Sequence, residues 1–230
     1  MTSRFLLRLA TLAIALCVAV PATALVVRAT IYFAANFNAS GAPGPMKFNA
    51  EIGTMETTGP DGVFSLVSGP TGGMVRIAGG GLASDATLRA KLKKVFKGTE
   101  VTIHFQITAS QKNSTLTMRA EDDADSGMID VSFDGSGGIK VDGADSGEAY
   151  AQGATYDGKL RLRDSVVGAS TWYLSLVSDS GEVILLQGQM KSSAPLRLDE
   201  VVFIRAAGGA PGEFFLDDVK VTSNTLLSNY

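Results

Sequence analysis

The stretch Val101-Thr102-Ile103-His104-Phe105-Gln106-Ile107-Thr108 decides the fold. Apolar and polar residues alternate along it without a break. Successive side chains of an extended strand point to opposite faces, so the run reads as a strand with one face in a core and one in water. Leu116-Thr117-Met118-Arg119-Ala120, Leu160-Arg161-Leu162-Arg163 and Trp172-Tyr173-Leu174-Ser175-Leu176 repeat the pattern. Clusters of Gly, Asp, Ser and Asn separate these runs, at Ser110–Ser114, Asp122–Gly127, Asp134–Gly138, Asp179-Ser180-Gly181 and Gly208–Gly212. Turn residues at such short spacing predict an all-β chain of two antiparallel sheets packed face to face. Val101, Ile103, Phe105, Ile107, Leu116, Met118, Trp172, Leu174 and Leu176 then fall in the core. One segment reads two ways. In Ala86–Lys97 the set Leu88, Leu92, Val95 and Phe96 falls near helical spacing and predicts a short helix, while Leu88, Ala90 and Leu92 also fit a strand.

Outward to the N-terminus, Arg4 and Arg8 precede an apolar run Leu9–Val20, and Pro21-Ala22-Thr23-Ala24 offers a small-x-small cleavage pattern. Residues 1–24 therefore read as a secretory signal peptide, with an apolar run short of the ~20 residues a membrane span needs. Residues 25–230 then form one domain of 206 residues, enough for a substantial core. Removing Arg4 and Arg8 takes the formal charge from −3 to −5, because none of the 23 acidic residues lies in the leader. That acidity argues against nucleic acid or an anionic membrane as partner. Cys17 is the only cysteine and lies in the leader, so the mature domain forms no disulfide. The expected location is outside the cytoplasm: secreted, periplasmic or at the cell surface.

From about residue 99 the order of features resembles the concanavalin A-like lectin/glucanase sandwich and its laminin-G-like relatives. The matching pieces include Val101–Ile107, Met128–Phe133 followed by Gly137-Gly138-Ile139, and Tyr150–Tyr156. Trp172-Tyr173-Leu174 before the Ser180-Gly181 turn, Val201–Ile204 and the closing Phe215-Leu216-Asp217-Asp218-Val219-Lys220-Val221 complete the set. The resemblance implies a jelly roll whose last strand pairs with the first, here Thr30–Phe37. It also implies a saccharide bound on a concave sheet face or at its rim.

Catalytic patterns fare poorly. Glu51-Ile52-Gly53-Thr54-Met55-Glu56 matches the two glutamates of a β-glucanase strand, Glu-x-Asp-x-x-Glu, but Gly53 replaces the central aspartate that separates their proton affinities. His104 is the only histidine. Alginate-lyase-like jelly rolls use a histidine and a tyrosine for proton abstraction, with an amide and an arginine on the substrate carboxylate. Tyr150-Ala151-Gln152 and Arg119 faintly match these roles, but the Gln-Ile/Val-His tripeptide of those lyases is absent, since Thr102-Ile103 precedes His104, and so is their arginine-rich entry motif. Trp172 is in phase with the core leucines, which leaves Tyr173 as the sugar-stacking candidate. His104, Gln106 and Arg119 share its outer phase and are expected on the same face.

Asp217 and Asp218 point to opposite faces of their strand. Alternation groups Asp217 with Phe215, Val219 and Val221, so Asp217 is the carboxylate expected to turn inward. A buried carboxylate needs backbone N–H donors, the favoured account, or a structural Ca²⁺ shared with Asp218 and Asn38. No other cofactor is expected. The functional expectation is an exported carbohydrate-binding or adhesion-type module without catalysis. A structural or surface-assembly domain without a sugar site is the alternative, and a polysaccharide lyase or glycosidase comes third. N-terminal sequencing of the exported product should begin at Leu25; a membrane-bound product that retains residues 1–24 would overturn the leader reading.

Overall fold

The computed structural model describes residues 26–37, 50–69, 72–110, 113–165, 168–191 and 195–227. The chain divides into two units. Unit 2, Ala29–Asn224, holds the sandwich, and unit 1 comprises Met1–Arg28 and Thr225–Tyr230. Among the described residues there is no helix. The strands run β1 (Val26–Ala35), β2 (Thr54–Thr58), β3 (Phe64–Gly69), β4 (Gly72–Gly79), β5 (Ala86–Lys97), β6 (Glu100–Ala109), β7 (Leu116–Glu121) and β8 (Gly127–Phe133). They continue as β9 (Gly138–Val141), β10 (Ala144–Ala149), β11 (Thr155–Arg163), β12 (Thr171–Ser178), β13 (Val183–Gln189), β14 (Arg197–Arg205) and β15 (Gly212–Leu227).

Two antiparallel sheets result. Sheet A has the order β13-β12-β11-β6-β15-β4-β3, with β1 also on β15; sheet B has the order β10-β9-β8-β7-β14-β5-β2. The last strand does pair with the first. Each sheet is built around a long-range insertion: β15 lies between β6 and β4, and β14 between β7 and β5. The inner faces meet in one hydrophobic core that includes all nine residues expected from alternation.

The segment Ala86–Lys97 is a strand, not a helix. β5 is paired along both edges, to β14 and β2, so its backbone groups are satisfied without a helix. Ala86, Leu88, Ala90 and Leu92 point inward; a register irregularity opposite Leu198 and Glu200 then lets Phe96 return to the core.

Two cross-strand glycines make room for core aromatics. Gly158 lies opposite Phe105, and a Cβ there would sit 2.3 Å from the Phe105 ring. Gly188 lies opposite Trp172 in the same way, where a Cβ would meet the indole at 2.7 Å. At one end of the core the buried Arg205 of β14 donates to the Gly79 carbonyl on β4 at 2.7 Å, tying sheet B to sheet A. Its Nη1 donates to the Thr115 carbonyl at 3.2 Å, and burial pulls its pKa down.

Replacing Phe105 with Ala should cost about 3–5 kcal/mol in a denaturant titration. Gly158→Ala should cost about 1–3 kcal/mol by overpacking the same ring. A cost near zero for both would mean that Phe105 does not fill the core.

Candidate functional site

The outer face of sheet A carries the polar residues of the alternating strands, and strand register arranges them in rows. One row runs Thr222–Thr102–Arg161–Tyr173–Gln187 across β15, β6, β11, β12 and β13. The next runs Lys220–His104–Lys159–Ser175–Leu185 across the same strands. The rows are two residues apart along each strand, about 6.5–7 Å. Apart from Lys220, these residues line an open groove of about 800 Å³, which Glu100 also lines from the start of β6.

Within the groove the Arg161 guanidinium lies over the Tyr173 ring, 4.8 Å from its centroid. The two residues are direct cross-strand partners, so register alone brings them together. His104 Nε2 is 3.3 Å from Thr222 Oγ1. Partial burial lowers the His104 pKa, and the positive charges of Lys159 and Lys220, flanking it from β11 and β15, lower it further. Glu100 is within 4.0 Å of Arg163. Leu185 is 70% exposed and forms an apolar ledge along the edge strand.

His104 and Tyr173 thus share one groove as alternation implied. Gln106 stands on the same sheet face but one row away, where its Nε2 donates to Asp157 Oδ1 at 3.0 Å. Arg119 is not on this face. It belongs to β7 in sheet B, with the core between, and clamps Asp130 through Nε and Nη2 at 2.7 and 3.0 Å. Alternation assigns a phase within one strand but not the sheet that strand joins, which is why the two faces were merged. The lyase-like candidates Tyr150 and Gln152 are also dispersed. Tyr150 is buried with its hydroxyl donating to the Asp134 carbonyl, and Gln152 donates to the Ser110 carbonyl.

The closing strand breaks the expected alternation. Phe214 and Leu216 point inward, and so do Val219 and Val221, because a bulge between Asp217 and Lys220 shifts the phase by one. Asp218 takes the left-handed conformation there, with φ of 48°. Phe215 and Asp217 therefore lie on the outer phase, Asp217 opposite Gln106, although Asp217 is only 3% exposed. The Asp218 N–H donates to Asp217 Oδ1 at 2.8 Å, which is the backbone-donor arrangement. Asp218 is exposed, and Asn38 lies outside the described residues.

Several groove residues escaped the sequence reading: Lys159, Arg161, Gln187 and Thr222. The alternation of Leu160-Arg161-Leu162-Arg163 did mark β11 as a strand with a cationic outer phase, but not its neighbours. A second charged array also appeared only in the structure. On sheet B the carboxylate oxygens of Glu121, Asp125 and Glu200 lie within 4.8 Å of one another. Arg89 pairs with both Glu121 and Glu200, and Arg119 reaches Glu121 at 3.7 Å, so two guanidinium groups answer the buried glutamates. Burial still raises the Glu200 pKa, with the hydrogen-bonded Glu121 adding to the effect and Arg89 opposing it.

No protein-family model matches the chain, and no curated protein matches it. Solved structures do. A sialidase matches with a TM-score of 0.56 at 17% identity over 74% of this chain, which spans only 17% of the sialidase. A PL-14 alginate lyase from Aplysia kurodai matches with a TM-score of 0.56 at 7% identity, over 73% of this chain and 89% of the lyase. Peanut lectin matches with a TM-score of 0.52 at 11% identity, over 89% of this chain and all of the lectin. The fold is the concanavalin A-like jelly roll. At these identities the likeness extends to the fold alone.

The His104 environment sets a pH dependence. Above the ordinary value of 6.5 the side chain is neutral in folded and unfolded chains alike, and it adds nothing. Below 6.5 the unfolded chain takes up the proton first, so stability falls until the pH passes the lowered folded value. Thermal melts at pH 8 and at about pH 5 should show the wild type losing stability relative to His104→Gln at the lower pH. Parallel losses in the two proteins would contradict the placement of His104 between Lys159 and Lys220.

Proposed function

We propose that this protein is an exported carbohydrate-binding module whose ligand occupies the groove on sheet A. The observation that carries the reading is the groove itself, where an apolar ledge at Leu185, the Arg161 guanidinium stacked on Tyr173 and hydrogen-bonding groups from Thr102, Ser175 and Gln187 converge. Sugars present both apolar C–H faces and hydroxyls, and such a mixed surface suits them. The fold, common to a lectin and an alginate lyase, supports the reading without deciding between binding and catalysis. A cleaved leader, residues 1–24, would deliver the domain to where polysaccharides are met.

A second reading is elimination on a polysaccharide. It is favoured by the convergence of His104, Tyr173, Arg161 and Gln187 in one groove, where partial burial and the charges of Lys159 and Lys220 lower the His104 pKa. A glycan array on the purified protein, followed by ultraviolet detection of unsaturated products from every glycan bound, tests both. Binding without products is the expected result. Products that disappear in His104→Ala would establish the lyase, and no binding anywhere on the array would overturn the carbohydrate reading in favour of a purely structural domain.

A further inference from the structure

Resting on the carbohydrate reading of this groove, we propose that its ligand is an acidic polysaccharide, gripped through its carboxylate or sulfate groups by Arg161 and Lys159. On sheet B three central cations are answered by carboxylates: Arg89 by Glu121 and Glu200, Arg119 by Asp130, Lys91 by Asp199. On sheet A, Arg161 and Lys159 point into the groove, and among the described residues neither forms an ion pair. Glu100, the one acid in the groove lining, is engaged by Arg163, which lies outside it. Lys220, exposed on the other side of His104, adds a further positive charge in the same row.

A chain of net charge −3 thus concentrates unpaired positive charge in its groove, which attracts a polyanion and repels little of it locally. The Tyr173 ring is not a free platform for a sugar, because Arg161 covers it. Its role is that of a positioning residue. Stacking holds the planar guanidinium on the groove floor and leaves its N–H edge for a carboxylate or sulfate, which lowers the ordering cost of the contact. The ledge at Leu185 remains for the apolar face of a sugar ring.

Titration calorimetry with an oligogalacturonate, a heparin-derived oligosaccharide and a neutral cello-oligosaccharide tests the proposal. An acidic ligand should bind at least tenfold more tightly than the neutral one, and binding should weaken as salt is raised, because groove and ligand charges are screened. Arg161→Gln and Lys159→Gln should each weaken acidic-ligand binding about tenfold, with melting temperatures unchanged. Tyr173→Ala should weaken it as Arg161→Gln does, whereas Tyr173→Phe, which keeps the ring under the guanidinium, should bind like the wild type. A preference between the uronate and the sulfated ligand identifies which anion is read, and either preference supports the proposal. Equal binding of the neutral ligand, or acidic binding indifferent to salt and to both charge variants, overturns it while leaving the carbohydrate reading intact. Absence of binding to any glycan, here and on the array, overturns both.

Discussion

The pairing of β6 with β11 is the constraint on which the rest of the molecule depends. Its register is unbroken from Thr108 opposite Thr155 to Glu100 opposite Arg163. Because side chains alternate between faces, this one register sets the core and the groove together. It places Phe105 over Gly158 on the inside and His104 beside Lys159 on the outside. A slip of β6 by one residue would turn Ile103, Phe105 and Ile107 into water and bury His104. The glycine opposite the phenylalanine reinforces the choice, since a side chain at position 158 would compete for the same volume.

From this pair the order of the sheet extends in both directions. β12 and β13 continue the register with no recorded irregularity, and carry Tyr173 and Gln187 into line with Arg161. β15 joins on the other side but cannot keep step, and the bulge at Asp217 and Asp218 absorbs the mismatch. The bulge leaves two apolar pairs, Phe214 with Leu216 and Val219 with Val221, all facing the core. Without it one of the pairs would face solvent. Asp217 sits at the turn of phase, its carboxylate accepting the N–H of the residue in the left-handed conformation that makes the bulge possible.

At the centre of sheet B buried glutamates lie under arginines, and a chain of ion pairs extends through Asp130 to Lys191 and on to Asp142. Buried ion pairs of this kind offset their own desolvation and hold geometry more than they add stability. Sheet A leaves its central cations unanswered. Groove cations that lack internal partners keep their field available to a ligand.

Much of the fold was legible because alternation is a local property. The strands, the turns between them and the core set around Phe105 and Trp172 followed from residue patterns, whereas the pairing of last strand with first came from the resemblance to a known sandwich. What residues 86–97 would become was not decided locally: helical and strand spacings coexist there, and pairing on both edges selected the strand. Arg119 and His104 carry the same phase signal, yet they belong to opposite faces of the molecule, because phase says nothing about which sheet a strand joins. Arg161 meets Tyr173 and Lys159 meets His104 only through cross-strand register, a relation between segments far apart in the chain. Outside the bulged β15, the sequence by itself therefore determined which residues turn toward water, while tertiary structure decided where a bulge resets the phase and which residues meet, because an unbroken strand's phase is set by its own neighbours and its partners by the packing of the whole core.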